Sequence, residues 1–170
     1  MNLLWMIIMV AVIALAMVGL IKRATMYGKG VPLVGLANIA EGTHDGCLTK
    51  YSDGAIASRF LLVKAGTDAD HIALSGATDT PYGVCTDEAA AAEEEVNVNL
   101  LACNKQTQKV TNDATGAIAF GDFLVPAANG KVKKIAAGAG NYYVVGMALQ
   151  AAAADGDIFE MAPIGAWKTQ

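Results

Sequence analysis

The chain has 170 residues and a formal net charge of −4, with three of its twelve basic residues and none of its sixteen acids in residues 1–30. What remains holds nine basic against sixteen acidic side chains, a net of −7 and a poor counter-charge for phosphate, so nucleic acid is discounted as a partner. The three cysteines, Cys47, Cys85 and Cys103, lack CxxC spacing and cannot close a disulfide framework; they read as buried free thiols of a protein made in a reducing compartment.

The chain opens on "LLWMIIMVAVIALAMVGLI", residues 3–21, nineteen residues without a charge or a hydroxyl. As a helix this run is about 28 Å long, close to the roughly 30 Å of a bilayer core. Leu3, Leu4, Trp5, Ile7, Ile8, Val12, Leu15, Leu20 and Ile21 carry its apolar character. Lys22 and Arg23 follow at once and would hold the remaining chain on the cytoplasmic side of a membrane. Four readings stay open: a membrane anchor, a helix buried among partner subunits, a signal peptide, or translation beginning at Met26 so that the segment is never made. The signal peptide fits least, because no basic residue precedes the apolar run.

After Gly30 short apolar runs are punctuated by Gly, Asp, Asn and Pro, the pattern of a many-stranded β domain. Strands are expected at "RFLLVKA" 59–65, "HIAL" 71–74, "YGVCT" 82–86, "EVNVNL" 95–100, "NYYVVGMAL" 141–149 and "DIFEMA" 157–162. In 95–100 the alternation is strict, with Val96, Val98 and Leu100 on one face and Asn97 and Asn99 on the other. "DFLVPAANGKVKKI", 122–135, is the clearest hairpin, since Asn129-Gly130 suits the two positive φ angles of a type I′ turn. Pro126 donates no ladder bond, which puts its strand at an edge or interrupts it there. The stretches "DEAAAAEEE" 87–95 and "LQAAAADGD" 149–157 are too short to stand as helices and read as turns.

"GAIASRFLLV" at 54–63 and "GAIAFGDFLV" at 116–125 repeat one another, and the match extends outward on both sides: Thr49 falls on Thr111, Leu62 and Val63 on Leu124 and Val125. The repeat implies two units, 47–103 and 109–165, with Gly54 and Gly116 at equivalent turns. Two units are too few for a solenoid and each is marginal alone, so two similar halves packed into one core are expected. The organisation read from the sequence is an apolar helix at 1–25, a linker and first strand at 26–46, the duplicated β domain at 47–165 and a tail at 166–170. The fold class is mainly β, a small barrel or sandwich.

No catalytic constellation stands out: there is no GxSxG, HExxH or GxGxxG, and His44 and His71 are the only histidines. Asp68, Asp70 and His71 in "GTDADH" could gather at a metal, near His44 in "THDGC". The second copy has "ANGKVK" there, keeping the turn and dropping every ligand, which favours an Asx-type turn. No metal, cofactor or catalytic residue is assigned.

Residues 60–102, 116–132 and 142–163 resemble small capsid decoration (cement) proteins of tailed bacteriophages. The resemblance rests on the "PxGV" strand at Pro81–Val84, the alanine-rich acidic turn, the "VxVxL" strand at Val96–Leu100, "GAIAFGD" at 116–122 and "GMALQAAAADGD" at 146–157. It spans most of residues 40–163 and implies a small β-rich barrel, assembled as trimers on the outside of the head, bound to the major capsid protein and reinforcing it without catalysis. The apolar segment at the front departs from that pattern. It leaves a second expectation, a membrane-anchored β domain acting as a surface binding module, with residues 3–21 in a membrane or among partner helices.

Overall fold

The computed structural model describes residues 46–103, 105–113 and 115–169. The apolar segment 1–25, with Leu3 to Ile21, and the linker up to residue 45 lie outside them.

Strands and bends make up nearly all that is described. In the first half, β1 (Cys47–Ser52), β2 (Leu62–Ala65), β3 (His71–Leu74), β4 (Gly83–Cys85) and β5 (Glu95–Leu100) close into a barrel in the order β1-β3-β2-β4-β5. In the second half, β6 (Gln108–Thr111), β7 (Phe123–Pro126), β8 (Val132–Lys134), β9 (Asn141–Ala148) and β10 (Ile158–Thr169) form a five-stranded sheet in the order β6-β10-β9-β7-β8. Followed round the closed barrel from β3, the first order becomes β3-β2-β4-β5-β1, the same succession as β8-β7-β9-β10-β6. Closure differs in extent. Tyr51 and Ser52 of β1 pair parallel with His71 and Ile72 of β3, whereas β6 and β8 are joined by the single parallel bridge Asn112–Val132.

The alternation in β5 has its physical cause in this closure: Val96 and Val98 fill the barrel while Asn97 faces solvent. β2 and β4 are apolar on both faces for another reason. Val63 and Cys85 point into the barrel beside Ile56, Ile72 and Val96, whereas Leu62 and Val84 join Leu124, Val145, Phe159 and Met161 of the second half. The core is therefore two clusters, one inside the first barrel and one spanning both halves. Leu62, Val84 and Leu101, each at most 2 % exposed, are the first half's share of the spanning cluster; burying each is worth about 1.5–3 kcal/mol.

Pro126 sits where β7 parts from β9. The β7–β9 ladder runs through Phe123–Met147 and Leu124–Gly146 and stops there. Ala127 and Ile135 bond across the β7–β8 hairpin, so the Pro126 nitrogen faces the β9 side, where a proline has no N–H to offer.

Two expectations need correction. Residues 166–169 are not a tail: β10 passes a bulge between Pro163 and Ala166, with Gly165 at φ 62, and its far end pairs with Asn141–Val144 of β9. Only Cys85 is buried, because it alone points into the barrel. Cys47 opens the outer face of β1, its thiol donating to Asn99 Oδ1 at 2.9 Å, and Cys103 lies in the turn after β5; both are exposed.

Candidate functional site

Of the residues nominated for chemistry, Asp68, Asp70 and His71 lie in and beside the β2–β3 turn. Asp68 Oδ1 accepts the Asp70 N–H at 2.8 Å, an Asx turn. The same oxygen lies 2.6 Å from His71 Nδ1 and Glu93 Oε1 lies 3.1 Å from His71 Nε2, so both ring nitrogens donate when the imidazole is protonated. The Asp68 carboxylate, then that of Glu93, raises the His71 pKa, and the imidazole in turn holds the Asp68 carboxyl below its usual range. Both ring nitrogens are thus engaged, so His71 acts as a tie between two loops and not as an available base. Asp70 lies 3.9 Å from Lys50, a buried lysine whose Nζ donates to the Ala69 carbonyl at 2.6 Å. Among the described residues no three of His, Cys, Asp and Glu are placed to hold a metal ion; His44 lies outside them.

One carboxylate of each alanine-rich loop serves that loop. Glu94 accepts from the Ala90 N–H at 2.7 Å, and Asp157 from those of Ala153 and Ala154 at 2.9 and 2.7 Å, bonds that lower the Asp157 pKa. Main-chain bridges Ile56–Ala89 and Ile118–Ala152 pin both loops against the sheets.

The turn residues fall into two groups. Gly54 and Gly116 occupy exposed bends with open space around the position a Cβ would take, and neither has positive φ. Asn129 and Gly130 have φ of 57 and 72, and Gly130 is buried where the halves meet, its N–H donating to the Ser75 carbonyl at 2.7 Å. A Cβ on Gly130 would stand 2.8 Å from the Leu62 carbonyl oxygen and 2.9 Å from Leu61 Cβ.

The feature the sequence left unnoticed is a groove beyond Pro126. Where β7 stops pairing with β9, a cavity of about 320 Å³ opens, floored by Val125 and Pro126 and walled by Tyr142, Tyr143 and Trp167, with Ala77–Asp79 of the first half at its margin. Trp167 is 66 % exposed and meets the Tyr143 ring edge-on at a centroid distance of 5.5 Å. Lys133 reaches the groove from β8. Its neighbours Lys131 and Lys134 are paired at 2.8 Å with Asp155 and Asp122, but Lys133 has no carboxylate partner among the described residues. A lone tryptophan in a presumed tail gave no sign of this, because the wall exists only once β10 continues past its bulge.

Among the described residues no helix is long and apolar enough to cross a membrane. No known protein family matches the chain, and no curated protein does. Its fold is similar to that of a solved structure, the head fiber gp8.5 N base in bacteriophage phi29, with 19% sequence identity and a TM-score of 0.53 over 73% of this chain and 98% of that one.

Proposed function

We propose that this protein is a non-enzymatic structural component of a tailed-bacteriophage virion, a decoration protein that binds the major capsid protein on the outside of the head and stabilises it. The observation that carries the reading is the fold it shares with a phage head fiber base, across almost the whole of that domain. The chemistry of the body is consistent with it. Among the described residues His71, the histidine beside carboxylates, meets one at each ring nitrogen, and Glu94 and Asp157 hold the backbone of their own loops. A ligand that binds the assembled lattice and not its free subunits stabilises the lattice by RT ln(1 + [L]/Kd), about 2.7 kcal/mol per site at a hundredfold excess over Kd.

The protein acts as a homotrimer and needs no cofactor. Its two halves, 47–103 and 109–165, are copies of one unit; their common strand order and the matching bridges at Ile56–Ala89 and Ile118–Ala152 support this. The test is to mix purified protein with heads that lack it, pellet the heads and measure their resistance to heat. Saturable co-sedimentation, a higher melting point of the heads and a solution mass three times 17.5 kDa are expected. A monomer that stays in the supernatant overturns the reading.

The apolar run at residues 3–21 favours one second reading, a membrane-linked β domain. In that case the full chain partitions with membranes and a chain begun at Met26 does not.

A further inference from the structure

We propose that the groove beyond Pro126 is a binding site for an acidic saccharide, the sugar ring lying against Trp167 and its anionic group meeting Lys133. The inference goes beyond attachment to a head and does not depend on it.

An indole that is 66 % exposed costs solubility unless it is used, and here the edge-on contact with Tyr143 holds it at the groove wall with most of its surface free. The same groove is lined by Thr78 and Tyr142, whose hydroxyls make no hydrogen bond to any described residue, and by Lys133. Apolar surface and hydrogen-bonding groups without a partner among the described residues therefore share a volume of about 320 Å³, the character of a small-molecule site. A pyranose has this duality, with a C–H face for an aromatic ring and hydroxyls around its rim.

The charge specifies the ligand further. Asp79 at the margin is neutralised by Lys64 at 2.8 Å, leaving Lys133 as the charge of the groove without a carboxylate partner among the described residues, in a body that is acidic overall. A carboxylate or other anion on the sugar completes that pair. A peptide added as an extra strand fits poorly, because Pro126 faces the groove with no N–H and recognition falls to side chains.

The test is calorimetry on the full chain with two uronic-acid probes, hyaluronan tetrasaccharide and trigalacturonate, against neutral chitotetraose and tetraglutamate. At least one uronic-acid probe is expected to bind, chitotetraose more weakly, and tetraglutamate not at all. Trp167→Ala should weaken binding by about tenfold, with Trp167→Phe recovering part of it. Lys133→Gln should weaken the acidic probe alone and abolish its salt dependence, which a merely structural role would not do. Binding of neither uronic-acid probe, equal binding of tetraglutamate, or affinities unchanged in both variants overturns the proposal. So does a fall in solution mass in Trp167→Ala, which would make the groove an interface between copies. Head co-sedimentation of Trp167→Ala, measured in parallel, keeps this outcome distinct from that of the decoration reading.

Discussion

Phe60 and Gly121 hold the same station in the two halves. Each lies shortly before the second strand of its half, each has left-handed backbone, with φ of 64 and 85, and each donates its N–H at 2.8 Å to the end of the fourth strand, to Cys85 and Ala148 respectively. The turn demands the conformation and the residue does not change it. Phenylalanine at such an angle is strained by about 1–2 kcal/mol, which its ring offsets by packing against the cluster shared by the two halves and lying under Lys109 at 5.6 Å. Gly121 has open space around the position of a Cβ, so Gly121→Ala isolates the backbone cost. Chemical denaturation should show a loss of about 1–2 kcal/mol with an unchanged m-value. No loss at all would mean that the turn relaxes and that the left-handed angle is not enforced.

The cysteines divide by exposure, and that division can be read in solution. Burial pushes the Cys85 thiol above its ordinary pKa, while Cys47 and Cys103 are open to solvent. A disulfide reagent added to native protein should modify Cys47 and Cys103 promptly and reach Cys85 only after denaturant. Fast labelling of Cys85 under native conditions would place it outside the barrel.

How much of this was legible follows from which interactions are local. The alternation of 95–100 and the apolar run at 62–63 announce strands because period and run length are set by the strand's own faces. Whether a thiol at a strand end is covered depends on the neighbouring strand, and the exposure of Cys47 could not be read from its surroundings in the chain. Matching letters and strand pairing also give different registers between the two halves. Matching letters puts Leu62 on Leu124, whereas strand pairing sets Leu62 opposite Val84 as Phe123 is set opposite Met147. Leu62 then faces the other half, and that long-range fact carries no local signature. The Asx turn at Asp68 was legible because its bonds close within three residues, but the Glu93 contact of His71 joins loops 22 residues apart. The aromatic groove was the least legible, since it arises from the absence of one N–H at Pro126 and from a distant bulge between Pro163 and Ala166.

Gly130 reports on how the halves hold together. Its φ of 72 alone makes alanine unfavourable, and the Cβ would press on the Leu62 carbonyl and on Leu61 across the seam. The two costs combine to about 2–5 kcal/mol for Gly130→Ala, well above the loss expected at Gly121. The denaturation midpoint should fall accordingly, with fluorescence and far-UV circular dichroism still moving together if the shared cluster makes the halves one cooperative unit. Two separated transitions in the variant would show instead that each half folds by itself.

His71 makes stability depend on pH in a definite direction. Around the imidazole stand Asp68 on its own turn, Glu93 on the β4–β5 loop, the Tyr51 ring of β1 at 6.0 Å, and the Lys50–Asp70 pair alongside. Its pKa is raised first by the Asp68 carboxylate, so the folded state holds the proton to higher pH than the unfolded chain, where the group titrates near 6.5. The tie is therefore complete below about pH 6.5 and is lost as pH rises through the raised value. Asp68 stays ionised throughout that window because its own pKa is lowered, and its contribution fades only when the pH falls through that lowered value. The thermal midpoint of the wild type should thus decline from mildly acidic to mildly alkaline pH. In His71→Gln the slope should flatten over the same range, and in Asp68→Asn the imidazole resonance of His71 should titrate at lower pH than in the wild type. An equal slope in wild type and His71→Gln would sink this account, because the two loops would then be held by something other than the charge on the ring.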